Sequence, residues 1–205
     1  MFELLDYRRQ IADLYATIRQ TDDPYTAWSH FRRVRDSLLR DHPQSPLDAA
    51  ARAGFDGLAY YDYDPAYRVR GVMSHDVEPV EIEYDLGDDG GFRCMRIGRV
   101  KFVLGNAPCQ FDLYWITGYG GGLFLPFADA TKGATTYGGG RYLIDSIKGA
   151  DPGFSEASAV LDFNFAYNPS CAYSPRWICP LAPAGNRLSV PVAAGEQRWP
   201  GQADQ

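Results

Sequence analysis

The chain has 205 residues and a formal net charge of −6. This length suits one domain with an added element, and the negative charge argues against a nucleic-acid-binding surface. Apolar residues make up 45% of the chain, enough for a hydrophobic core, yet no stretch reaches the roughly 18–20 apolar residues of a membrane span. The N-terminal residues also lack the apolar run of a signal peptide. We therefore expect a soluble, cytoplasmic protein that binds neither nucleic acid nor a membrane.

Residues 1–56 have the pattern of an N-terminal helical segment. Asp23 and Pro24 are the residue types of a helix cap and a first helical position, so a second helix is predicted to begin there. A third, short helix is predicted from Ser45 to Gly54. The first helix is predicted from apolar residues at three- and four-residue steps: Leu4, Tyr7, Ile11, Leu14 and Ile18. We expect these two to three helices to pack on the rest of the domain.

The second predicted helix carries the densest basic patch of the chain. Its members are Arg32, Arg33 and Arg35, with Asp36 and Asp41 close by. Mixed charges at this spacing are typical of a helix face in contact with water. We therefore interpret the patch as a solvated surface.

Residues 57–196 change to short alternating segments separated by glycine and proline. About eight strands are predicted, over residues 67–73, 80–84, 92–104, 110–116, 123–127, 135–144, 159–167 and 188–192. Residues 87–91 predict a turn. Short strands without interleaved helices indicate a mainly β (α+β) fold, an antiparallel β-barrel or sandwich under the helical layer. Residues 197–205 are predicted to form a flexible tail.

The first candidate site lies in residues 127–143. Three glycines at 138–140 fall inside a predicted strand, where glycine weakens the strand unless a ligand or a crossing strand must approach closely. Arg141 follows at once, and its guanidinium suits a carboxylate or a phosphate. The alternative is a buried ion pair between Arg141 and Asp162. Asp129 is predicted to be a turn residue that accepts backbone N–H groups.

Polar side chains of a later predicted strand complete this candidate site. In strand geometry Asp162, Asn164 and Asn168 point one way, and the intervening apolar residues point the other. Together with Tyr137 and Arg141 they are the predicted ligand-binding residues. Arg141 is expected to pair with an anion, while the asparagines fix its orientation and aromatic rings supply apolar walls.

Two of the four cysteines lie at the two ends of an irregular loop that follows this strand. Cys171 and Cys179 are separated by seven residues, whereas zinc ligands commonly pair at two-to-four-residue spacing, so no metal site is predicted. In a cytoplasmic protein they are expected to be reduced thiols. A thiol nucleophile or a redox pair is kept as an alternative, although no base lies nearby in sequence.

These motifs together resemble the domain-of-unknown-function family 1684 of bacteria and archaea. The resemblance is carried by Phe-x-Asp-x-Thr-x-Gly-x-x-Thr-Tyr-Gly-x-Gly-Arg-Tyr-Leu at 127–143, by residues 162–173, by Cys179-Pro-Leu and by Ala194-Gly-Glu196. Members commonly read Pro-x-Glu-Asn before the final strand, where this chain has Gly185 in place of the Glu. The resemblance implies a family and a set of motifs, but no activity, cofactor or catalytic residue.

Three functions follow as hypotheses. The leading one is binding of a small anionic or polar ligand in a barrel or sandwich pocket. The first alternative is an enzyme, a hydrolase or a thiol redox protein, that uses Asp162, Cys171 or Cys179. The second is a structural or interaction protein in which the polar motif is an internal network and the N-terminal helices form a homodimer.

Overall fold

Three helices form the first layer of the structure, a computed structural model that describes residues 2–87, 90–157 and 159–201. They are α1 (Phe2–Gln20), α2 (Pro24–Asp41) and α3 (Ala49–Ala53). The Asp23 carboxylate accepts the Thr26 N–H at 2.9 Å and so caps the start of α2, as predicted. None of the described helices is long and apolar enough to cross a membrane.

Seven strands in the described residues follow in one antiparallel sheet. They are β1 (Arg68–Ser74), β2 (Glu81–Asp85), β3 (Gly91–Leu104), β4 (Ala107–Ile116), β5 (Gly122–Phe127), β6 (Arg141–Asp145) and β7 (Val160–Asp162). Their order across the sheet is β6-β5-β4-β3-β1-β7, and β2 pairs with β3 off this path. The β3–β4 hairpin is the longest pairing and shifts register between Arg96 and Gly98.

The two ends of this sheet come together. Tyr142 in β6 and Tyr167, which follows β7, exchange backbone hydrogen bonds of 2.9 and 3.1 Å as an antiparallel bridge. Because β6 and β7 are the outermost strands of the order, this bridge nearly closes the sheet into a barrel. The predicted fold class, an antiparallel β-barrel or sandwich with an N-terminal helical layer, is confirmed, with seven described strands nearly closed into a barrel.

The barrel interior is filled by apolar side chains. Four phenylalanine rings lie at its centre with centroid separations from 5.1 to 6.1 Å: Phe102, Phe111, Phe127 and Phe163. A second buried cluster lies between the helices and the outer face of the sheet, where Phe31 of α2 contacts Phe165 at 5.3 Å. The interior is therefore a packed core, as in small barrels whose side chains fill the available space.

Three predicted strands are shorter than expected or absent. The strand predicted over 135–144 begins only at Arg141, because residues 131–136 form hydrogen-bonded turns. The strand predicted over 159–167 ends at Asp162, whose side chain caps a 3-10 turn over Phe163–Phe165. Residues 188–192 form isolated backbone bonds instead of a strand, such as that of Leu188 N–H to Ala128. Side-chain caps and isolated bonds satisfy the backbone in these places.

Two further predicted features lie partly outside the described residues. The turn over 87–91 is closed by a 2.9 Å bond from Leu86 N–H to Gly90, and its residues 88 and 89 are not among those described. In the segment predicted as a tail, Gln197 N–H donates to the Ala59 carbonyl and Trp199 contacts the Phe55 ring. Residues 202–205 lie outside the described part of the chain.

Candidate functional site

Arg141, the first residue of β6, is buried inside the barrel and only 1% exposed. Its Nη2 donates to the Asp129 carboxylate at 2.9 Å and to the Val192 carbonyl at 3.0 Å. Its Nη1 donates to the carbonyl oxygens of Ala194 and Glu196. Burial lowers the pKa of Arg141, and the Asp129 charge opposes that shift. The guanidinium therefore binds the segment 192–196 to β6.

The predicted ion pair of Arg141 with Asp162 is wrong, because Asp129 takes that place. The turn role predicted for Asp129 is found as well. Its Oδ1 accepts the N–H groups of Thr131 at 2.9 Å and Val192 at 3.0 Å. One carboxylate thus holds a local turn with one oxygen and contacts the buried guanidinium with the other.

Asp162 and Asn164 form a second buried group at the end of β7. Asp162 Oδ1 accepts the backbone N–H and the side-chain N–H of Asn164 at 3.1 and 2.9 Å, and Arg68 lies 3.8 Å from Oδ2. Asn164 also exchanges two hydrogen bonds of 3.0 and 2.9 Å with the Asp64 backbone. Burial raises the pKa of Asp162, and the bonds from Asn164 oppose that shift. These two side chains join β7 to the segment that precedes β1.

Asn168 belongs to a third group, centred on Glu196. Its backbone and side-chain N–H groups donate to the two Glu196 oxygens at 3.0 and 2.8 Å. Arg35 Nη2 donates to Glu196 at 2.8 Å, and the Tyr173 hydroxyl donates to it as well. Burial raises the pKa of Glu196, and Arg35 opposes that shift most strongly. The predicted solvated role is therefore wrong for Arg35, which is 6% exposed.

The 3-10 turn also changes the predicted side-chain directions. Asp162, Asn164 and Asn168 were expected on one side of a strand, with Phe163 on the other. In the structure all four are buried, because the strand ends at Asp162 and the chain turns. Sequence alternation cannot describe a segment whose backbone leaves the strand conformation.

The backbone conformation at position 140 explains why a glycine precedes Arg141. The φ of Gly140 is +91°, and a Cβ at this position would lie 2.5 Å from the Phe127 carbonyl oxygen. Of the two predicted reasons for close approach, the crossing strand applies here, since Phe127 belongs to the neighbouring β5.

Tyr137 lies apart from the other predicted site residues and contacts the cysteines. Its hydroxyl donates to Cys171 Sγ at 3.5 Å. Tyr137, Cys171 and Ala172 form a small buried cluster, against which the half-buried Trp177 and Cys179 pack. The five predicted ligand residues are thus distributed over three buried groups and the cysteine cluster, and their ligand role stays a prediction.

Cys171 and Cys179 form the pair with the most distinctive chemistry. The Cys171 backbone N–H, in the 3-10 turn Ser170–Ala172, donates to Cys179 Sγ at 3.4 Å. The two thiols also influence each other's ionisation, since their interaction is the largest cause of the pKa shift of each. Cys171 is buried and Cys179 half-buried, and neither is in a disulfide.

These contacts distinguish the two thiols electrostatically. The hydrogen bond from the Cys171 thiol lowers the pKa of Cys179, burial opposes the shift, and the N–H groups of Cys171 and Ser170 and the Lys148 charge assist it. The same hydrogen bond raises the pKa of Cys171, and burial adds to the increase. Cys179 is therefore the more acidic thiol of the pair, and Cys171 the less acidic one.

Two surface clefts are open to solvent. One surface cleft is lined by Phe2, Asp6, Leu38 and His42 at the ends of α1 and α2, and another by Asp64, Tyr67, Leu104 and Val190. Within residues 2–87, 90–157 and 159–201, no group of three or more His, Cys, Asp and Glu side chains is placed to hold a metal ion.

Comparison with known proteins gives a family and a related structure. A family model described as "Protein of unknown function (DUF1684)" matches residues 53–197. The solution NMR structure of the uncharacterized protein from gene locus rrnAC0354 of Haloarcula marismortui is 35% identical, with a TM-score of 0.61. That match covers 84% of this chain and 92% of the other. No curated protein matches the chain. Glu196 is not among the site residues predicted from the sequence, where only the family motif Ala194-Gly-Glu196 signals it.

Proposed function

This chain belongs to the DUF1684 family of proteins of unknown function, and we propose that it is a thiol–disulfide redox protein in which Cys171 and Cys179 interconvert between two thiols and a disulfide. The observation that carries the proposal is the pair itself. The Cys171 backbone N–H donates to the Cys179 sulfur at 3.4 Å, and the interaction of the two thiols moves their pKa values in opposite directions. Because the Cys179 sulfur lies against the Cys171 backbone, the two side chains need little movement to form an S–S bond, which is about 2.05 Å long.

Cys179 is the attacking thiol. The thiolate is the reactive form of cysteine, and the donors around Cys179 favour it. Cys179 is also the more accessible of the two, which an incoming disulfide requires. Cys171, buried and protonated, has the properties of the resolving thiol.

The proposed exchange balances in two steps with a low-molecular-weight disulfide as the oxidant. The Cys179 thiolate attacks one sulfur of that disulfide, forms a mixed disulfide and releases one thiolate. Cys171 then loses its proton to the released thiolate or to water, and its sulfur attacks Cys179 Sγ. The Cys171–Cys179 bond forms and the second small thiol leaves, so two electrons pass from the protein to the small disulfide.

The test is oxidation by glutathione disulfide followed by mass spectrometry of the intact protein and of its peptides. The wild type is expected to lose two hydrogen atoms between Cys171 and Cys179. Cys171→Ser is expected to stop at a glutathione adduct on Cys179, because the resolving thiol is missing. Cys179→Ser is expected to give neither product.

Cys109 supplies a matched control within the same chain. It is half-buried like Cys179, but burial raises its pKa above the ordinary value. Cys109→Ser is expected to leave the oxidation unchanged. If Cys109 takes up glutathione as fast as Cys179, or if Cys179→Ser oxidises like the wild type, the proposal is wrong.

The other hypotheses have less support. Binding of a small anion by Arg141 has less support because its two Nη groups already donate to four acceptors within the protein. A hydrolase role for Asp162 has less support because its carboxylate already accepts two hydrogen bonds from Asn164. A homodimer through the N-terminal helices stays a prediction: α1 exposes Phe2 and Leu5, but most of its predicted apolar face is buried in the core.

A further inference from the structure

Arg32 of α2 is held between two aromatic rings. Its guanidinium carbon lies 4.7 Å from the centroid of the Trp28 ring and 5.0 Å from that of the Tyr60 ring. Trp28 precedes Arg32 by one helical turn, so the two side chains share a face of α2. Stacking on two rings restricts the guanidinium to one orientation before any ligand arrives, which lowers the entropic cost of binding.

Two N–H donors of this group have no acceptor. Trp28 Nε1 and Arg32 Nε are both buried and without a hydrogen-bond partner. An unsatisfied buried donor is unfavourable, and among the described residues neither N–H has an acceptor. The nearby carboxylate of Asp36 uses one oxygen to accept the Leu58 N–H at 2.9 Å. Within the described residues Arg32 forms no ion pair, unlike Arg35 with Glu196.

An aromatic wall continues from Trp28 along the surface. Tyr25 lies 5.6 Å from Trp28 and 5.9 Å from Tyr63 between ring centroids, and Tyr63 lies 5.8 Å from Trp28. Tyr25 is 57% exposed, so one member of the wall is open to a ligand. Exposed aromatic rings beside a fixed cation present an apolar surface and a positive charge together.

We propose that Trp28, Arg32 and Tyr60, with Tyr25 and Tyr63 as the adjoining wall, bind an oxyanion carried on an aromatic group. The guanidinium pairs with the carboxylate or phosphate, and the ring of the ligand packs on Tyr25. The ligand belongs to the class predicted from the sequence, a small anionic molecule, but it binds at Arg32 and not at Arg141. The proposal is independent of the thiol pair.

Phenyl phosphate and inorganic phosphate are the probes, titrated at constant ionic strength by calorimetry. Phenyl phosphate is expected to bind more tightly than inorganic phosphate, because only the former contacts the aromatic wall. Arg32→Ala is expected to weaken both by about tenfold or more, the size of a lost charge-assisted hydrogen bond. Tyr25→Ala is expected to remove only the advantage of phenyl phosphate.

Arg33→Ala is the matched control, since Arg33 is exposed on the same helix and bonds only His30 in the described structure, at 2.8 Å. It is expected to bind both probes like the wild type. Arg32→Lys keeps the charge but not the planar fork, and is expected to lose several-fold in affinity while folding normally by circular dichroism. Equal binding by the Arg32→Ala and Arg33→Ala variants, or no saturable binding by the wild type, would overturn the proposal.

Discussion

Arg35 in α2 lies 2.8 Å from Glu196 near the end of the chain, and the two side chains are 8% and 1% exposed. Glu196 also accepts two hydrogen bonds from Asn168, so one carboxylate connects the helical layer, the segment after β7 and the C-terminal segment. A buried charge with this many partners depends on each of them, since losing one leaves the others unpaired in a poorly solvated interior.

Glu196→Ala is expected to lower the free energy of unfolding by about 3–5 kcal/mol, because it leaves Arg35 as an uncompensated buried charge. Urea unfolding followed by fluorescence measures this. The control is Asp151→Ala, which removes an ion pair 3.8 Å long between side chains 39% and 42% exposed, and is expected to cost less than about 1 kcal/mol. Similar losses in the two variants would contradict a central role for Glu196. The double variant Arg35→Met/Glu196→Leu is expected to recover part of the loss.

Gly140→Ala is expected to destabilise the protein by about 2 kcal/mol or more, because φ is +91° and the added Cβ would approach the Phe127 carbonyl oxygen to 2.5 Å. Gly138→Ala is the control. There the nearest atom would be 3.9 Å away, so a change within about 0.5 kcal/mol is expected. Thermal unfolding of both variants gives the comparison, and a neutral Gly140→Ala would show that β5 and β6 can move apart.

The sequence correctly predicts those structural features that depend on residues close to one another in the chain. The strand predicted over 92–104 is observed as Gly91–Leu104, and the Asp23 cap of α2 is where its residue types place it. Both follow from local patterns of alternation and of side-chain oxygens beside free N–H groups. Fold class follows in turn, because short strands and turns allow few architectures.

The candidate site could not be predicted in the same way, because its partners are distant in sequence. Arg35 and Glu196 are 161 positions apart, and nothing in either local pattern links them. Arg141 pairs with Asp129 and not with Asp162. The chain leaves β7 at Asp162, and the Asp162 carboxylate turns towards Asn164. Pairing of buried charges is decided by tertiary approach, which alternation does not encode.

Phe163→Ala is expected to cost about 3–5 kcal/mol, since this side chain is fully buried and its ring contacts three other phenylalanines at the centre of the barrel. Val103→Ala, at a site that is 57% exposed on β3, is expected to change stability little. Chemical unfolding checks both. A small loss at Phe163 would mean that the interior can collapse around the cavity.

The last prediction concerns the protonation of the thiol pair. Because hydrogen bonds from Cys171 lower the pKa of Cys179 to about 7, alkylation of Cys179 by iodoacetamide is expected to rise with a midpoint near neutral pH. Cys109, whose pKa burial raises above that of an ordinary thiol, is expected to react only in more alkaline solution. Peptide mapping by mass spectrometry after short exposures at a series of pH values gives both rates in one sample.

Cys171→Ala is expected to move the Cys179 midpoint upward, because the variant removes the thiol donor that contributes most to the lowered pKa but keeps the backbone N–H at 3.4 Å. Tyr137→Phe removes the hydroxyl that donates to Cys171 Sγ and keeps the ring, so a smaller change is expected there. An unchanged midpoint in Cys171→Ala would show that the Cys171 thiol does not stabilise the Cys179 thiolate, and that its reactivity depends on the backbone donors and on Lys148 alone.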